Sequence, residues 1–448
     1  MEKLAQLLWG MPMMVLLLAV GILLSVKTGF VQIRELPAAL RQVGKSLKSE
    51  DRTAFRAMCT ALAATVGTGN IAGVAGAIAL GGPGAVFWMW VAAFFGMATK
   101  YAEVVLAMRW RTKGGKGGPM YYIRCGMGEQ YRWLAAVFAF CAVLASCGMG
   151  NITQVHTISS AVAAVVPGVS GRSAALVTGL VTAALVAAVT LGGAKRVGQV
   201  TEKLVPVMAG IYLAAMVAVL AIHYRRIDDV LVMVLKGAFC PQAVAGGGAG
   251  IGLRQAVRWG VSRGVFSNEA GLGSAPIAHA SSRLSPQEQG LLGIFEVFFD
   301  TIVLCSLTAF AILSCDLKID YGNPAGAELA TGALARVFGS AAPWISAAVL
   351  GLLSLATVIS WQLYGARCAE YLWGSAGVQG YSLCYIAVVV LGATMDLSGA
   401  WAVADVCNGL MCLPNLAALL YLGRRTNLTG KQADLWLDNK WNFPDNGS

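Results

Sequence analysis

Long apolar stretches follow one another through this chain, and most ionised side chains fall in the gaps between them. Only 12% of the 448 residues are charged and 57% are hydrophobic, whereas a soluble domain is about a quarter charged. Too few charges remain to coat a surface in water, so the chain reads as an integral membrane protein. A spanning helix needs about 20 apolar residues. Eleven runs are read as spans, near 9–26, 56–80, 84–108, 133–165, 173–192, 203–222, 256–280, 287–314, 343–367, 380–395 and 399–422. They are continuous rather than alternating, which predicts helices and not a barrel. The expected fold is an all-α integral membrane protein of about 11 transmembrane helices.

The net charge of +11 does not point to nucleic acid, because the cations are sorted by loop. Lys27, Arg34, Arg41, Lys45, Lys48, Arg52 and Arg56 fall between runs one and two. Arg109, Arg111, Lys113, Lys116, Arg124 and Arg132 fall between runs three and four, and Lys195, Arg196 and Lys203 between five and six. Arg424, Arg425, Lys431 and Lys440 form the tail, while "GGPG" between runs two and three has no charge. This alternation is the positive-inside pattern. It predicts a multi-pass protein of the cell (inner) membrane, with the N-terminus outside and the C-terminus in the cytoplasm. The segment 223–255 fits least well, with Arg225, Arg226, Lys236 and Arg254 on the expected outer side. The first run follows a barely basic "MEKLAQ" and leads to Lys27 without an A-x-A site, so it is expected to be retained as a helix.

Several chemistries find no support. The eleven cysteines are scattered, with no C-x-x-C pair and no His/Cys ligand spacing, and they read as small apolar residues. The glycine-rich stretches Ala243–Gly252 and Lys113–Gly118 lack the strand and the Lys-Ser/Thr of a phosphate loop. Both read as turns between helices.

Two runs carry the same defect. "TVGTGNIAGVAG" (Thr65–Gly76) places four glycines, two threonines and Asn70 in run two. "GVFSNEAGLGSAP" (Gly264–Pro276) places Ser267, Asn268, Glu269, glycines and a proline in run seven. Glycine costs roughly 1 kcal/mol in a helix interior relative to alanine. A broken helix in lipid leaves peptide groups unpaired at several kcal/mol each, unless the break is buried or lines a watery cavity. There the free N–H groups attract a carboxylate and the free carbonyls suit a hard cation. Runs two and seven are five apart, so two five-helix repeats would face opposite ways, and a matched pair of broken segments marks a secondary transporter's binding site. Close packing through Gly69/Gly73 and Gly260/Gly264 is the alternative; it does not account for Asn70, Asn268 and Glu269 at the same depth.

Other polar residues lie inside runs. Glu269 is read either as functional or as a structural lock, with Arg263 as a partner. Asn151, with Thr153 and Gln154, interrupts run four; an amide there can face a cavity or brace a neighbouring helix, and the cavity is expected. His156 is expected to be a packing residue and His279 interfacial. Thr357 and Ser360 lie three apart on run nine, as do Trp361 and Tyr364, so one helix offers hydroxyls for a sodium shell and an aromatic cap for a small substrate. Lys100 and Glu103 are expected to neutralise each other. The roles of Glu296, Asp300 and Asp405 are left open, including proton coupling.

The stretches Ala64–Ala107 and Gly264–Ala280, with "WGMPMMVLLLAVGILLSVKTGFVQIR" (Trp9–Arg34) and "GGKGGPMYYI" (Gly114–Ile123), resemble the alanine/glycine:cation symporter family, end to end. The resemblance implies a leucine-transporter-type 5+5 inverted repeat preceded by one extra helix. The implied division is an extra helix and basic cytoplasmic loop over 1–55, a first repeat over 56–222, an external loop over 223–255, an inverted repeat over 256–422 and a cytoplasmic tail over 423–448. The family couples uptake of alanine or glycine to Na⁺ or sometimes H⁺. Carried over, Gly67, Thr68, Gly69 and Asn70 would meet the substrate, with Asn151, Phe266, Ser267, Asn268, Thr357 and Trp361 around it. The Na⁺ ligands would come from Thr65, Val66, Gly69, Asn70, Thr357 and Ser360. The expected partners are an amino-acid substrate and the lipid bilayer, with no nucleic acid; the oligomeric state is left open, a monomer being sufficient. The expected function is sodium-coupled symport of small neutral amino acids by alternating access, with a proton-coupled symporter as the alternative. A membrane enzyme finds no nucleophile–base spacing in its favour, and a channel does not explain two breaks within one chain.

Overall fold

The structure is a computed structural model that describes residues 8–166, 171–240, 252–395 and 397–430. The glycine-rich turn expected at 243–252 lies outside these residues except for Gly252, as does the tail from 431 on. The described residues are helical almost throughout. By length and apolarity, seven helices among them can cross a membrane, or eight if one bent pair is counted as a single span.

The chain opens with α1 (Met11–Lys27) and α2 (Leu36–Lys48). In α2 the basic residues occupy one side while Ala39, Gln42 and Ser46 are buried, so the expected loop is a surface helix. The bent pair follows: α3 (Thr53–Thr65) and α4 (Ala72–Gly81), set at 55° to each other. Next comes α5 (Ala85–Arg109), the most enclosed of the spans. Run four is split: α6 (Arg132–Cys147) passes through a π-helical turn at Gly148–Ile152 into α7 (Thr153–Val165). Then come α8 (Arg172–Thr190) and α9 (Gly193–Ile222).

The segment 223–255 holds a helix of its own, α10 (Ile227–Phe239), which packs on the start of α5. Run seven becomes α11 (Leu253–Asn268) and the short α12 (Ala275–His279). With 16 residues, three of them Arg254, Arg258 and Arg263, α11 is too short to count among the spans by length and is also the more charged of the two. Run eight is α13 (Pro286–Val297), a π-helical turn at Phe298–Cys305 and α14 (Ser306–Ser314). The segment after it contains α15 (Glu328–Phe338). Runs nine and ten form one long element, α16 (Ala342–Gly392), broken where Gly374 takes φ 69° and ψ −159°. Its 51 residues would reach about 75 Å if straight, against a hydrocarbon layer of about 30 Å. The last helix is α17 (Leu397–Arg425).

The connections gather at two ends of the bundle. At one end the basic loops touch: Asp51 pairs with Arg283 (3.7 Å), Arg56 with Glu202 (3.1 Å) and Lys116 with Glu370 (2.7 Å), and Lys27 donates to the Arg424 carbonyl (3.2 Å). At the other end Trp88 donates to the Ala238 carbonyl (3.1 Å), the Gly322 N–H reaches the Ala79 carbonyl (2.9 Å) and Arg226 pairs with Asp316. The contacts follow the loop alternation read from the charges.

Candidate functional site

Both defective runs are unwound inside the bundle. In the first, α3 stops at Thr65, Val66 and Gly67 are non-helical, and Thr68–Asn70 make a single 3-10 turn before α4. Gly67 is nearly extended (φ −143°, ψ −150°). A Cβ there would lie 2.7 Å from Thr357 Oγ1, so only glycine lets α16 approach the break this closely. In the second, α11 ends at Asn268, and Glu269 is left-handed at φ 55°, followed by Gly271 at φ 92° and Gly273 at φ 82°. Left-handed backbone suits glycine and is unusual for glutamate. The two breaks touch, for the Cβ position of Gly69 is 3.4 Å from Ser267 Cα and 3.6 Å from the Phe266 ring.

One carboxylate joins them. Asn70 Nδ2 donates to Asp300 Oδ1 (2.7 Å) and its Oδ1 accepts the Gly67 N–H (2.9 Å), while Ser267 and Thr301 each donate to Asp300 Oδ2 at 2.8 Å. The Asn70 carbonyl accepts from Thr308 (2.7 Å) and Asn268 Nδ2 donates to Thr301 (3.1 Å). All six side chains are buried. Asp300 sits in the π-helical turn between α13 and α14, where the wider turn sets its carboxylate between the breaks. Buried polar groups are stable only when paired, and this set satisfies itself.

Glu269 has other partners. It accepts from Trp361 Nε1 (3.1 Å) and from Ser274, bracing the second break from inside. The expected pairing with Arg263 is not formed; Arg263 instead lies over the rings of Trp259 (5.3 Å) and Phe266 (5.6 Å). Nor do Lys100 and Glu103 neutralise each other by contact. Glu103 accepts from the Gly271 N–H (3.1 Å) and Asn415 (2.6 Å), whereas Lys100 Nζ is buried without a hydrogen-bond partner among the described residues. A second break whose free N–H groups need an acceptor captures the acid first. His279, expected at the interface, is buried and held by Glu296 (2.6 Å) and Gln289 (2.6 Å).

The remaining candidates divide into two groups. Thr357 donates to the Ala63 carbonyl (3.1 Å) beside Gly67, and Ser360 one turn on has a buried hydroxyl without a partner among the described residues. Thr65 bonds back to the Ala61 carbonyl (3.2 Å) and Val66 is fully buried beside it. The end of α3, with its negative dipole, and the Thr357 hydroxyl are thus brought together at Gly67, while Ser360 lies one turn farther along α16. Trp361 lies across Gly150, where a Cβ would overlap its ring. Asn151 is apart: its amide donates to the Tyr385 carbonyl (2.9 Å), holding α16, and it does not line the cavity described next.

A cavity of about 850 Å³ runs from the breaks towards the less basic end. Thr68, Gly69 and Phe266 form its floor, α7 and α16 its sides, and Pro324–Glu328 its mouth. Helical spacing does not point to His156 or Arg263 here, whereas Gln154 is expected beside a cavity. Gln154 holds Thr68 (3.2 Å), while His156 and Arg263 line the cavity. His156 and Gln154 lie two apart on α7 and so take different sides, Gln154 reaching the first break and His156 the cavity wall together with Thr157 and Ser160.

Comparison with known proteins agrees with this architecture. The profile of the sodium:alanine symporter family matches residues 1–432. A transporter of Haemophilus influenzae described only as uncharacterized is 42% identical over 429 residues, covering 93% of this chain and 91% of its own. The sodium/alanine symporter AgcS of Methanococcus maripaludis is 44% identical over 430 residues, 92% of either chain. The probable sodium/glutamine symporter GlnT of Bacillus subtilis is 36% identical over 428 residues, 93% of this chain and 87% of its own.

Proposed function

The chain belongs to the sodium:alanine symporter family, and from that premise we propose that it is a secondary transporter that carries small neutral amino acids, alanine and glycine, inward with Na⁺ by alternating access. The observation that carries this reading is the pair of unwound segments that meet at Gly69 and Ser267 under a cavity of about 850 Å³. Cation-coupled amino-acid transport is the family's function; the substrates, the ion and the mechanism are the proposal.

The substrate carboxylate would rest in the Gly67–Asn70 turn, near the start of α4, on the N–H groups of Thr68 and Gly69, since that of Gly67 is taken by the Asn70 side chain, with Phe266, Ser267 and Asn268 opposite and Thr357 and Trp361 on the third side. Asn151 would support this set from behind α16 and not touch the substrate. Na⁺, as co-transported cargo, would be held by carbonyls at Thr65, Val66 and Gly69 with Asn70, Thr357 and Ser360. The orphaned Ser360 hydroxyl supports this, since a buried oxygen without a partner is costly unless something fills the place. Holding an anion and a cation on one broken helix makes each bind better with the other, which is the basis of symport. One charge moved inward gains about 2.3 kcal/mol per 100 mV in addition to the Na⁺ gradient.

The architecture proposed is eleven helices: one in front, then two inverted repeats over 56–222 and 256–422, with the external segment 223–255 between them and the tail 423–448 in the cytoplasm. The matching positions of the two breaks support it. Loop charge supports an outer N-terminus in the cell membrane. A proton-coupled variant of the same cycle is the second reading, favoured by the buried Glu269 and Asp300 between the breaks.

Uptake of labelled alanine and glycine into liposomes containing the full chain tests the proposal. It predicts saturable accumulation under an inward Na⁺ gradient and none when K⁺ replaces Na⁺. Accumulation driven by a pH gradient without Na⁺ would select the proton reading, and no uptake under either gradient would refute both.

A further inference from the structure

The cavity has a charge that the breaks do not use. Among the residues that line it, Arg263 is the only arginine or lysine. It lies on α11 three residues before Phe266, about one helical turn, or 5 Å, to the outer side of the second break. Its guanidinium stands over the rings of Trp259 and Phe266 at 5.3 and 5.6 Å. Aromatic faces hold the flat side of an arginine and leave its edge, where the N–H donors are, free to bind. Its Nε is buried and has no hydrogen-bond partner among the described residues, and none of their carboxylates lies within 4 Å of the guanidinium. Asp405 on α17 attracts it from farther away. A cation left without an anionic partner in contact within a membrane bundle is costly and ordinarily functional.

The surroundings say what would pair with it. The cavity ends inward on Thr68 and Gly69 of the first break. Outward it passes Glu328, whose carboxylate accepts the Gly326 N–H at 2.6 Å. His156 adds an imidazole whose Nδ1 is buried without a partner among the described residues. A ligand entering from the mouth therefore passes an anion and then meets a cation before it reaches the breaks.

We propose that Arg263 forms an entry subsite for the carboxylate of the incoming amino acid, one helical turn outside the broken-helix site. This rests on the transport reading above. The carboxylate pairs with the guanidinium edge, and moving about 5 Å inward along α11 brings it to the N–H groups of the first break. The same cation disfavours substrates whose side chain carries a positive charge.

The test is alanine uptake by the full chain in liposomes under a fixed Na⁺ gradient, comparing wild type, Arg263→Gln and Arg263→Lys. A hydrogen bond between charged partners predicts a rise in KM of about tenfold for R263Q, with a maximal rate close to wild type and a smaller rise for R263K. Alaninamide, which keeps the ammonium and lacks the carboxylate, should inhibit R263Q at least as well as wild type, because it loses no ion pair and is freed from the repulsion of the guanidinium. The wild-type KM should also rise with ionic strength at constant Na⁺, because screening weakens the capture step; this arm needs no variant and holds even if one does not fold. An unchanged KM in R263Q, a lower maximal rate at unchanged KM, or a wild-type KM indifferent to ionic strength would each overturn the subsite. Absence of Na⁺-driven uptake by the wild type would instead refute the transport reading itself.

Discussion

At the scale of single residues, the account turns on Asn70 and Asp300. Asn70 closes the first break through its Oδ1 and fixes the loop to Asp300 through its Nδ2. Replacement by alanine leaves the Asp300 carboxylate short of a donor in the bundle interior. Asn70→Ala is therefore expected to lower Na⁺-dependent alanine uptake about tenfold or more without loss of expressed protein; uptake at the wild-type rate would remove Asn70 from the site. Asp300→Ala strips three donors of their common acceptor. Leaving buried neutral donors without an acceptor costs roughly 1–3 kcal/mol each, which should appear as a lower melting temperature in detergent, with Asp300→Asn falling between. The sequence revealed Asn70 because an amide among glycines in an apolar run has little use except at a break. It did not reveal the role of Asp300, since nothing in the order of residues says that a carboxylate 230 positions away faces it.

At the scale of elements, glycines are placed where another helix must reach bare backbone. Gly67→Ala would set a methyl group 2.7 Å from Thr357 Oγ1, and overpacking of this kind costs about 1–3 kcal/mol. The prediction is a fall in both thermal stability and Na⁺-dependent uptake, while Gly73→Ala on the same segment, where nothing lies within 4 Å, leaves both near wild type. Both breaks were legible, because clustered glycines and polar side chains weaken a helix that lipid would otherwise force to stay wound. The π-helical turns at Gly148–Ile152 and Phe298–Cys305 were not. A π turn adds one residue to a helix without any residue type that demands it, yet it changes which side chains face inward. Asn151, within the first of these turns, braces α16, while Gln154 and His156 on the helix after it reach the first break and the cavity. The helices α2, α10 and α15 were read as loops because their apolar faces are too short to look like spans.

At the scale of the whole molecule, charge sorts the loops and the helices obey it. The basic loops meet at one end, and the cavity opens at the other, between α4 and the segment before α15. On the proposed orientation, which puts the basic end in the cytoplasm, the cavity faces outward. In a cysteine-free background on intact cells, an impermeant thiol reagent should label Asn323→Cys but not Lys113→Cys, both positions being exposed; the reverse pattern would invert the orientation. The fold class was readable throughout because a bilayer forbids unpaired backbone over so many apolar runs. The charged α11 is the element that composition alone misjudges, and of its three arginines Arg263 lines the cavity. The central claim is that the two breaks hold an ion and a zwitterion together. Equilibrium binding of labelled alanine to the solubilised protein, titrated across Na⁺ concentration at constant ionic strength, tests it most directly. The account predicts that the Kd for alanine falls as Na⁺ rises and that K⁺ has no such effect; a Kd for alanine that does not change with Na⁺ would contradict it.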